Sequence, residues 1–223
     1  MKILIVSGFL GAGKTTFIKR LARNVDQRFA ILENEYGAAG IDGARLGQNR
    51  QGTQKNVWEM TEQCICCIGK KDFAASVLTI ANVVDPEYLI VEPTGVGSLA
   101  RIIENLRQIE YERIQLLSPV TIVDVYSYRH YMAEYPELYQ DQIRSADTII
   151  VSKTEACQAE EKQRIQKFLQ EINSQAKIIT DYASTMTRED YQSLLLGGRY
   201  EKEVQDTQSG EKMPETFSFE NIR

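Results

Sequence analysis

A glycine-rich segment near the N-terminus constrains this chain more than any other feature. Residues 8–15 read GFLGAGKT, the pattern G-x-x-x-x-G-K-[ST], and directly follow the apolar run 3–6. Such a loop between a strand and a helix wraps phosphates with backbone N–H groups, while Lys14 reaches the β- and γ-phosphates and Thr15 completes a Mg²⁺ shell. The chain is therefore predicted to bind a nucleoside triphosphate. The predicted nucleotide-binding residues of this loop are Gly8, Gly11, Ala12, Gly13, Lys14, Thr15 and Thr16.

Short β-rich runs alternate with helical patterns along most of the chain, which predicts an α/β fold with a doubly wound, mostly parallel sheet. Strands are expected at 2–7, 29–33, 57–60, 88–92, 117–124, 147–152 and 176–180, and helices from 14, near 70–84, and at 98–110, 158–173 and 187–196. Ligands of such sheets lie beyond the carboxyl ends of the strands. We expect a P-loop NTPase domain over 1–184 and a short helical and polar tail over 185–223.

Composition limits the class of protein and of partner. The chain has 223 residues and a net charge of −5, so one domain is expected, and a general affinity for nucleic acid or anionic membrane is not. No apolar run approaches the ~20 residues of a membrane span, and the apolar N-terminus runs into the phosphate loop instead of a cleavage site. We expect a cytoplasmic protein with small-molecule and protein partners.

A second phosphate-binding element is predicted where the strand at 88–92 ends. Glu92 is followed by Pro93, Thr94 and Gly95, which places a carboxylate at the strand end and a flexible glycine just beyond it. Glu92 is expected to hold Mg²⁺ through water or to orient the attacking water, and the Gly95 N–H is expected to sense a γ-phosphate. The predicted catalytic residues are therefore Lys14, Thr15, Glu92 and Gly95.

Three cysteines lie within four residues at Cys64, Cys66 and Cys67, a spacing that suits a metal better than a disulfide framework. Thiolates of this kind bind Zn²⁺, Cu(I), Co²⁺ or Ni²⁺. The chain has a single histidine, so the predicted fourth ligand is Glu35 or Asp42, in the carboxylate- and glycine-rich segment 33–42 that has the character of a switch loop. The alternative is three buried cysteines that pack as small apolar groups.

Together these motifs resemble the CobW-like metallochaperone GTPases, a family related to the UreG and HypB maturation proteins. The resemblance covers roughly residues 1–181 and depends on four segments in order: GFLGAGKTT at 8–16, NEYGAAGID at 34–42, CICC at 64–67 and EPTG at 92–95. It implies a GTP-binding domain with Mg²⁺ at Thr15 and Glu92 and a transition metal, Zn²⁺ or Co²⁺, at the cysteines. It also implies slow intrinsic hydrolysis and nucleotide-dependent homodimers.

The chain departs from the family pattern in three places. The guanine-reading N-K-x-D reads Ser152, Lys153, Thr154 and Glu155, so Lys153 and Glu155 keep their roles while Ser152 lacks the bonds of an amide. Gln63 replaces the glycine that usually precedes the first cysteine, and Ala38 replaces an acidic residue of the switch segment. The family continues into a smaller C-terminal domain near whose expected start this chain ends, so we expect client recognition to lie elsewhere.

Three functions compete at this point. The first is a metallochaperone or metallocentre assembly factor in which Mg-GTP binding and hydrolysis control the cysteine site. The second is a nucleotide-dependent switch that loads a cofactor-bearing client, for example a corrinoid protein, without carrying free metal. The third is a non-hydrolysing metal-binding regulatory module. One further feature stays open: tyrosines crowd residues 126–139, either as core packing or as a protein interface.

Overall fold

The computed structural model describes residues 1–27, 29–35, 57–63 and 70–201, and for 33–35, 57–63 and 70–72 it describes the backbone alone. The strands are β1 (Lys2–Gly8), β2 (Phe29–Glu35), β3 (Val57–Gln63), β4 (Tyr88–Glu92), β5 (Gln115–Leu116), β6 (Val120–Asp124), β7 (Thr148–Ser152) and β8 (Lys177–Ile179). The helices are α1 (Lys14–Asn24), α2 (Lys70–Val83), α3 (Leu99–Arg107), α4 (Tyr128–Glu134), α5 (Pro136–Arg144), α6 (Ala159–Ile172), α7 (Tyr182–Thr185) and α8 (Arg188–Leu196). None of the described helices is both long and apolar enough to cross a membrane.

The strands form one parallel sheet with β1 at its centre. Across the described residues the order is β3–β2–β4–β1–β6–β7–β8, and the two-residue strand β5 pairs with β1 near its start. The chain builds one side of the sheet through β4 and the other side from β6 onward. A crevice at the carboxyl end of β1 is therefore a topological switch point, the place where open α/β sheets bind ligands.

Helices cover both faces of the sheet, so β1 is buried on both sides and alternates between two cores. Ile3 and Ile5 pack with α2 and α3 on one face, while Leu4 and Val6 pack with α1 and α8 on the other. The apolar stripes of α3 and α6 both face the core, and a third cluster joins α4, α5 and α6 to β6 and β7. The predicted doubly wound α/β fold is confirmed.

The strand predicted over 117–124 begins only at Val120 in the structure, as β6, and the two-residue strand β5 (Gln115–Leu116) lies before the predicted range. The Leu117 N–H donates to the carbonyl of Ile3, and the break follows at Ser118 and Pro119. Proline has no N–H for a sheet ladder, and here its carbonyl accepts from Asp147 and Thr148 at the start of the next strand. Pro136 acts in a similar way between α4 and α5, because it occupies the first turn of α5.

Residues beyond the predicted boundary at 184 pack onto the same sheet as far as residue 201. Tyr191 and Leu195 of α8 are buried against α1, and Tyr200 is buried between α3 and the start of the sheet. The Tyr200 N–H donates to Leu116 and its hydroxyl donates to the carbonyl of Ser145. The division at 184 stays a prediction, and most of its tail, 202–223, lies outside the described residues.

Candidate functional site

The glycine-rich loop joins the end of β1 to the start of α1. Gly8 has a φ of 144°, and a Cβ there would lie 2.4 Å from the carbonyl oxygen of Ile122 on β6, so only glycine fits. Gly13 caps α1 with a φ of 99° and no side-chain hydrogen bond. The first N–H groups of α1 are therefore available to an anion. Among the remaining loop residues Gly11 and Thr16 are exposed, whereas Ala12 is buried.

The Lys14 side chain folds back over this loop. It is 8% exposed, and its Nζ donates to the carbonyl oxygens of Gly8 at 3.0 Å and Phe9 at 3.3 Å. Burial lowers the pKa of the Lys14 ammonium, and the charge of Glu92 partly opposes that shift. A buried cation supported only by carbonyl dipoles and one carboxylate is suited to pair with a polyanion.

Thr15 and Glu92 are 77 positions apart in sequence, and the fold brings their side chains into contact. The Thr15 hydroxyl donates to Oε1 of Glu92 at 2.8 Å, because β1 and β4 are neighbouring strands that end at the same edge of the sheet. Glu92 is 9% exposed. A hydroxyl and a carboxylate are oxygen ligands of the type that Mg²⁺ prefers. The two predicted magnesium ligands therefore form a donor set that fits the ion.

Gly95 lies in the turn after β4, directly against the glycine-rich loop. A Cβ at this position would lie 2.3 Å from the backbone nitrogen of Leu10 and 2.8 Å from the carbonyl carbon of Phe9. Contacts this short with rigid backbone leave room for glycine alone. The turn that follows β4 and the loop that follows β1 thus touch through their backbones, on the side of the sheet edge where phosphates would bind.

The predicted base-reading segment follows β7. Ser152 is buried, and its hydroxyl donates to the carbonyl of Ala12 in the glycine-rich loop at 2.6 Å. Lys153 has a φ of 61° and pairs through Nζ with Oδ2 of Asp124, the last residue of β6, at 2.7 Å. Glu155 is exposed. Ser152 thus connects the segment to the phosphate loop, and Lys153 and Glu155 lie at the surface.

Sequence reasoning did not find several residues that hold these loops. Asp124 is a carboxylate at a strand end, the same signal that identified Glu92. Gln142 on α5 donates to the turn that contains Gly95, and its only sequence signal is an amide within an apolar helical stripe. Nothing in the sequence of the tyrosine-rich segment indicated that its rings pack against Phe9 of the phosphate loop.

That tyrosine-rich segment packs inward more than outward. The ring of Phe9 contacts Tyr131, Tyr135 and Tyr139, with centroid distances of 4.5, 5.9 and 5.1 Å. Burial raises the pKa of Tyr139 above its ordinary value. Tyr126 is the exposed exception. The described contacts agree with the packing interpretation, although the partner is the loop as well as the sheet.

The predicted transition-metal ligands can be placed only in part. Cys64, Cys66, Cys67 and Asp42 lie outside the described residues. Glu35 is the last residue of β2, and its backbone is in register with Gln63, the last residue of β3 and the residue before Cys64 in sequence. Across the described residues, no group of three or more His, Cys, Asp or Glu side chains is arranged to hold a metal.

This geometry defines a P-loop nucleotide-binding domain, and comparison with known proteins specifies the family. The family model described as CobW/HypB/UreG, nucleotide-binding domain, matches residues 2–180. The chain belongs to this family of P-loop GTPases.

Several relatives are characterised. The zinc chaperone YeiR of Escherichia coli is 30% identical over 178 residues, which make up 78% of this chain and 53% of YeiR. The zinc chaperone CobW of Pseudomonas aeruginosa is 26% identical over an alignment of 209 positions, gaps included, that covers 80% of this chain and 56% of that protein. This chain therefore spans about half the length of these relatives.

Solved structures agree on the fold. The Zn(II)-bound YjiA GTPase from E. coli matches with a TM-score of 0.65 at 23% identity, over 95% of this chain and 67% of YjiA. The hydrogenase maturation factor HypB from Archaeoglobus fulgidus matches with a TM-score of 0.54 at 16% identity, over 88% of this chain and 89% of HypB. At these identities the match concerns the fold alone.

Proposed function

We propose that this chain is the nucleotide-driven part of a zinc chaperone or metallocentre assembly factor, which binds GTP, hydrolyses it slowly and couples its nucleotide state to metal binding. The observation that supports this most is the hydrogen bond of 2.8 Å between Thr15 and Glu92. It joins the phosphate loop to the end of β4 through two residues that have the right chemistry for Mg-GTP. Neither side chain would need this pairing in a fold that used its glycine-rich loop only as a turn.

The described residues divide the work of phosphoryl transfer among them. Lys14 would donate to the β- and γ-phosphate oxygens, and the first N–H groups of α1 would bind the phosphate chain. Mg²⁺, held by Thr15 and through water by Glu92, would supply positive charge to the phosphates. The Gly95 N–H would report the γ-phosphate. No arginine finger is evident in the sequence, so we propose that hydrolysis is slow and acts as a timer.

Guanine is the proposed base, read by Lys153 and Glu155. Glu155 would accept from guanine N1 and N2, as an aspartate does in the family pattern. Ser152 donates its hydroxyl to Ala12, so it fixes the segment but has no amide to offer a base. We expect a preference for GTP over ATP that is weaker than that of an N-K-x-D protein.

The proposed cargo is Zn²⁺, with Co²⁺ as the next candidate, bound by Cys64, Cys66 and Cys67 together with Glu35 or Asp42. Named relatives support this, because YeiR and CobW are zinc chaperones. The sheet order supports it too: β3, which precedes the cysteines, lies two strands from β4, about 10 Å at ordinary strand spacing. The end of β3, one residue before Cys64 in sequence, therefore lies close enough to β4 for changes at the γ-phosphate to be passed to it.

We further propose that the recipient is a client metalloenzyme or corrinoid protein, and that two copies of the chain associate in the GTP-bound state in the cytoplasm. No role with nucleic acid or membranes is proposed. The net charge of −5 agrees with protein partners of this kind.

Metal titrations in two nucleotide states test the proposal. Purified protein would be titrated with Zn²⁺ and with Co²⁺ in the presence of a non-hydrolysed GTP analogue or GDP. We expect tighter metal binding with the analogue by at least about fivefold, which corresponds to ~1 kcal/mol of coupling. Cys66→Ala should abolish metal binding and leave nucleotide binding intact.

The other outcomes favour the other functions. Equal or absent metal binding in both states, with GTP turnover that requires Mg²⁺, would favour a switch that acts on a cofactor-bearing client. Metal binding without any Mg²⁺-dependent turnover would favour a regulatory module, and Lys14→Ala should then change nothing.

A further inference from the structure

Gln142 is a buried amide on α5 that reaches the turn after β4. Gln142 is only 1% exposed, and its Nε2 donates to the carbonyl oxygens of Gly95 at 3.1 Å and Gly97 at 2.9 Å. Both partners are acceptors, so the NH₂ group of the amide must face them. The amide therefore uses its two N–H donors on two carbonyls of one turn.

The neighbouring residue, Asp141, holds the next part of the same segment. Its Oδ2 accepts from the N–H of Ala100 at 3.3 Å, and its carboxylate also bonds to the Ser98 hydroxyl and the Leu99 N–H at the start of α3. A carboxylate is favourable at a helix N-terminus. Two consecutive residues of α5 thus hold residues 95–100, one through donors and the other through acceptors.

The same pair of helices also holds the glycine-rich loop. Tyr131 of α4 donates its hydroxyl to the carbonyl of Leu10 at 3.1 Å, and the ring of Tyr139 of α5 packs edge-on against Phe9. Gly95 in turn lies against the backbones of Phe9 and Leu10. The α4–α5 pair, the phosphate loop and the turn that contains Gly95 therefore form a closed ring of contacts.

An apolar side chain would fill the position of Gln142 at lower cost if filling were its only purpose. The Oε1 atom of the amide is buried, and it has no hydrogen-bond partner among the described residues. A buried polar atom without a partner is unfavourable. The two N–H donors, both used on carbonyls of the turn, are the part of the amide that offsets this cost.

We propose that Gln142 is a positioning residue for nucleotide-state sensing: it sets the turn after β4 so that the Gly95 N–H stands where a γ-phosphate is read. The inference depends on the proposed function, in which Gly95 reports the γ-phosphate. Because Gln142 fixes the carbonyls of Gly95 and Gly97, and the Gly97 N–H donates to Thr94, the turn is restrained on both sides of Gly95, which limits how its N–H can move before the nucleotide arrives. GDP, which lacks the γ-phosphate, makes no use of this arrangement.

The experiment replaces Gln142 by methionine, which has a similar length and no donors. Affinities for GDP and for a slowly hydrolysed GTP analogue, with Mg²⁺, would be measured on the full chain. We expect the affinity for the analogue relative to GDP to fall about tenfold, the effect of one or two hydrogen bonds, and GDP affinity to stay within about threefold. In steady-state assays of GTP turnover, kcat should fall by a larger factor than the factor by which KM changes.

Gln140→Met is the matched control. This glutamine lies on the same helix, two positions away; its Nε2 contacts the sulfur of Met132 and its Oε1 accepts from Arg144, so neither contact reaches the turn after β4. The same exchange there should leave the ratio of the two affinities unchanged. If Gln142→Met fails to fold, as judged by circular dichroism, Gln142→Asn takes its place, because its amide is one methylene too short for both carbonyls and the same loss of ratio is expected.

The results separate this inference from the proposed function. An equal loss of GDP and analogue affinity, or an unchanged ratio in a folded variant, would overturn the positioning role of Gln142 and leave it as a packing residue. A wild-type chain that binds GDP and the analogue alike and does not turn over GTP would instead overturn the proposed function, whatever the variants do.

Discussion

The two ends of the nucleotide site are built differently. At the phosphate end most of the contacts involve buried groups or backbone: Lys14 is buried and held by loop carbonyls, Gly95 lies against the loop backbone, and the exposed Thr15 bonds to the buried Glu92. At the base end Lys153 and Glu155 are exposed side chains, while Ser152 and Thr154 between and beside them are buried. The phosphate end is thus pre-organised by the fold, whereas the base end depends on side chains that solvent also reaches.

This difference shows where the chain can change without losing its chemistry. Buried hydrogen bonds are costly to break, because the partner left behind stays desolvated. Exposed ion pairs contribute little, because water competes for both charges. A departure from the family pattern is therefore expected to cost little at the exposed Glu155 and more at the buried residues of 8–15 or at Ser152, which keeps a buried hydrogen bond to the loop.

Lys14→Met should give the largest effect at the phosphate end. Because Lys14 supplies charge-assisted hydrogen bonds to phosphate, we expect Mg²⁺-dependent turnover to fall on the order of 1,000-fold and GTP affinity about 100-fold. Without nucleotide, thermal unfolding should shift little or upward, since methionine removes a buried charge whose pKa is already lowered by burial. A large loss of thermal stability in the nucleotide-free variant would contradict this account of Lys14.

Thr15→Val should have the next largest effect. Valine keeps the shape of threonine and removes the hydroxyl that bonds to Glu92. We expect turnover to fall on the order of 100-fold and the Mg²⁺ concentration for half-maximal rate to rise, because one oxygen ligand is lost. Thr15→Ser keeps the hydroxyl and should stay close to wild type; equal losses in both variants would indicate that packing, not ligation, is affected.

Ser152→Asn should act at the base end and change selectivity more than rate. An amide can donate to the base as well as to the loop, so the ratio of GTP to ATP affinity should rise about fivefold, the effect of one hydrogen bond. Ser152→Ala removes the bond to Ala12 and should weaken GTP and ATP alike. Competition binding with both nucleotides measures the two effects, and an unchanged ratio in the asparagine variant would show that position 152 does not read the base.

Most of the fold was predictable because parallel strands that are buried on both faces appear in the sequence as continuous apolar runs. Strand β4 was predicted with its observed limits, and α8 to within one residue. The break between β5 and β6 was not predicted, because Leu117 continues the apolar pattern although its N–H pairs with Ile3. That choice between two partners is made by tertiary structure, and the local sequence carries no sign of it.

The phosphate end of the site was predictable for a related reason. Glycine and lysine at fixed spacing describe a backbone path, and Glu92 ends a buried strand, so both features are local. Gln142 and Tyr131 were not predictable as site residues, because they act on loops 45 to 121 positions away. The roles of the cysteines and of Asp42 stay predictions, since those residues lie outside the part of the chain that the structure describes.

The smallest effect is expected when the ion pair between Asp181 and Lys162, which lies beside the base end, is removed. Asp181 follows β8, pairs with Lys162 at 2.5 Å and also bonds to the side chain of Thr154, next to Lys153, which we propose contacts the base. The two side chains of the pair are 30% and 25% exposed, so we expect Asp181→Asn to cost about 0.5 to 1 kcal/mol of unfolding free energy. Asp26→Asn, in a pair with Arg188 where the aspartate is 78% exposed, serves as the control and should cost less.

The dependence of stability on salt and pH tests this description of the ion pair between Asp181 and Lys162. The bond to Lys162 lowers the pKa of Asp181 below its ordinary value of 3.8, so the folded protein binds fewer protons than the unfolded chain near that pH. The contribution of the pair is therefore complete above pH 4 to 5 and is lost as the pH falls through the lowered pKa. Wild type and Asp181→Asn should converge in stability at low pH and at high salt, while the loss of turnover in Thr15→Val should persist at high salt and neutral pH. A Thr15→Val defect that faded with salt as the Asp181→Asn defect does would mean that the two ends of the site are held by the same kind of contact.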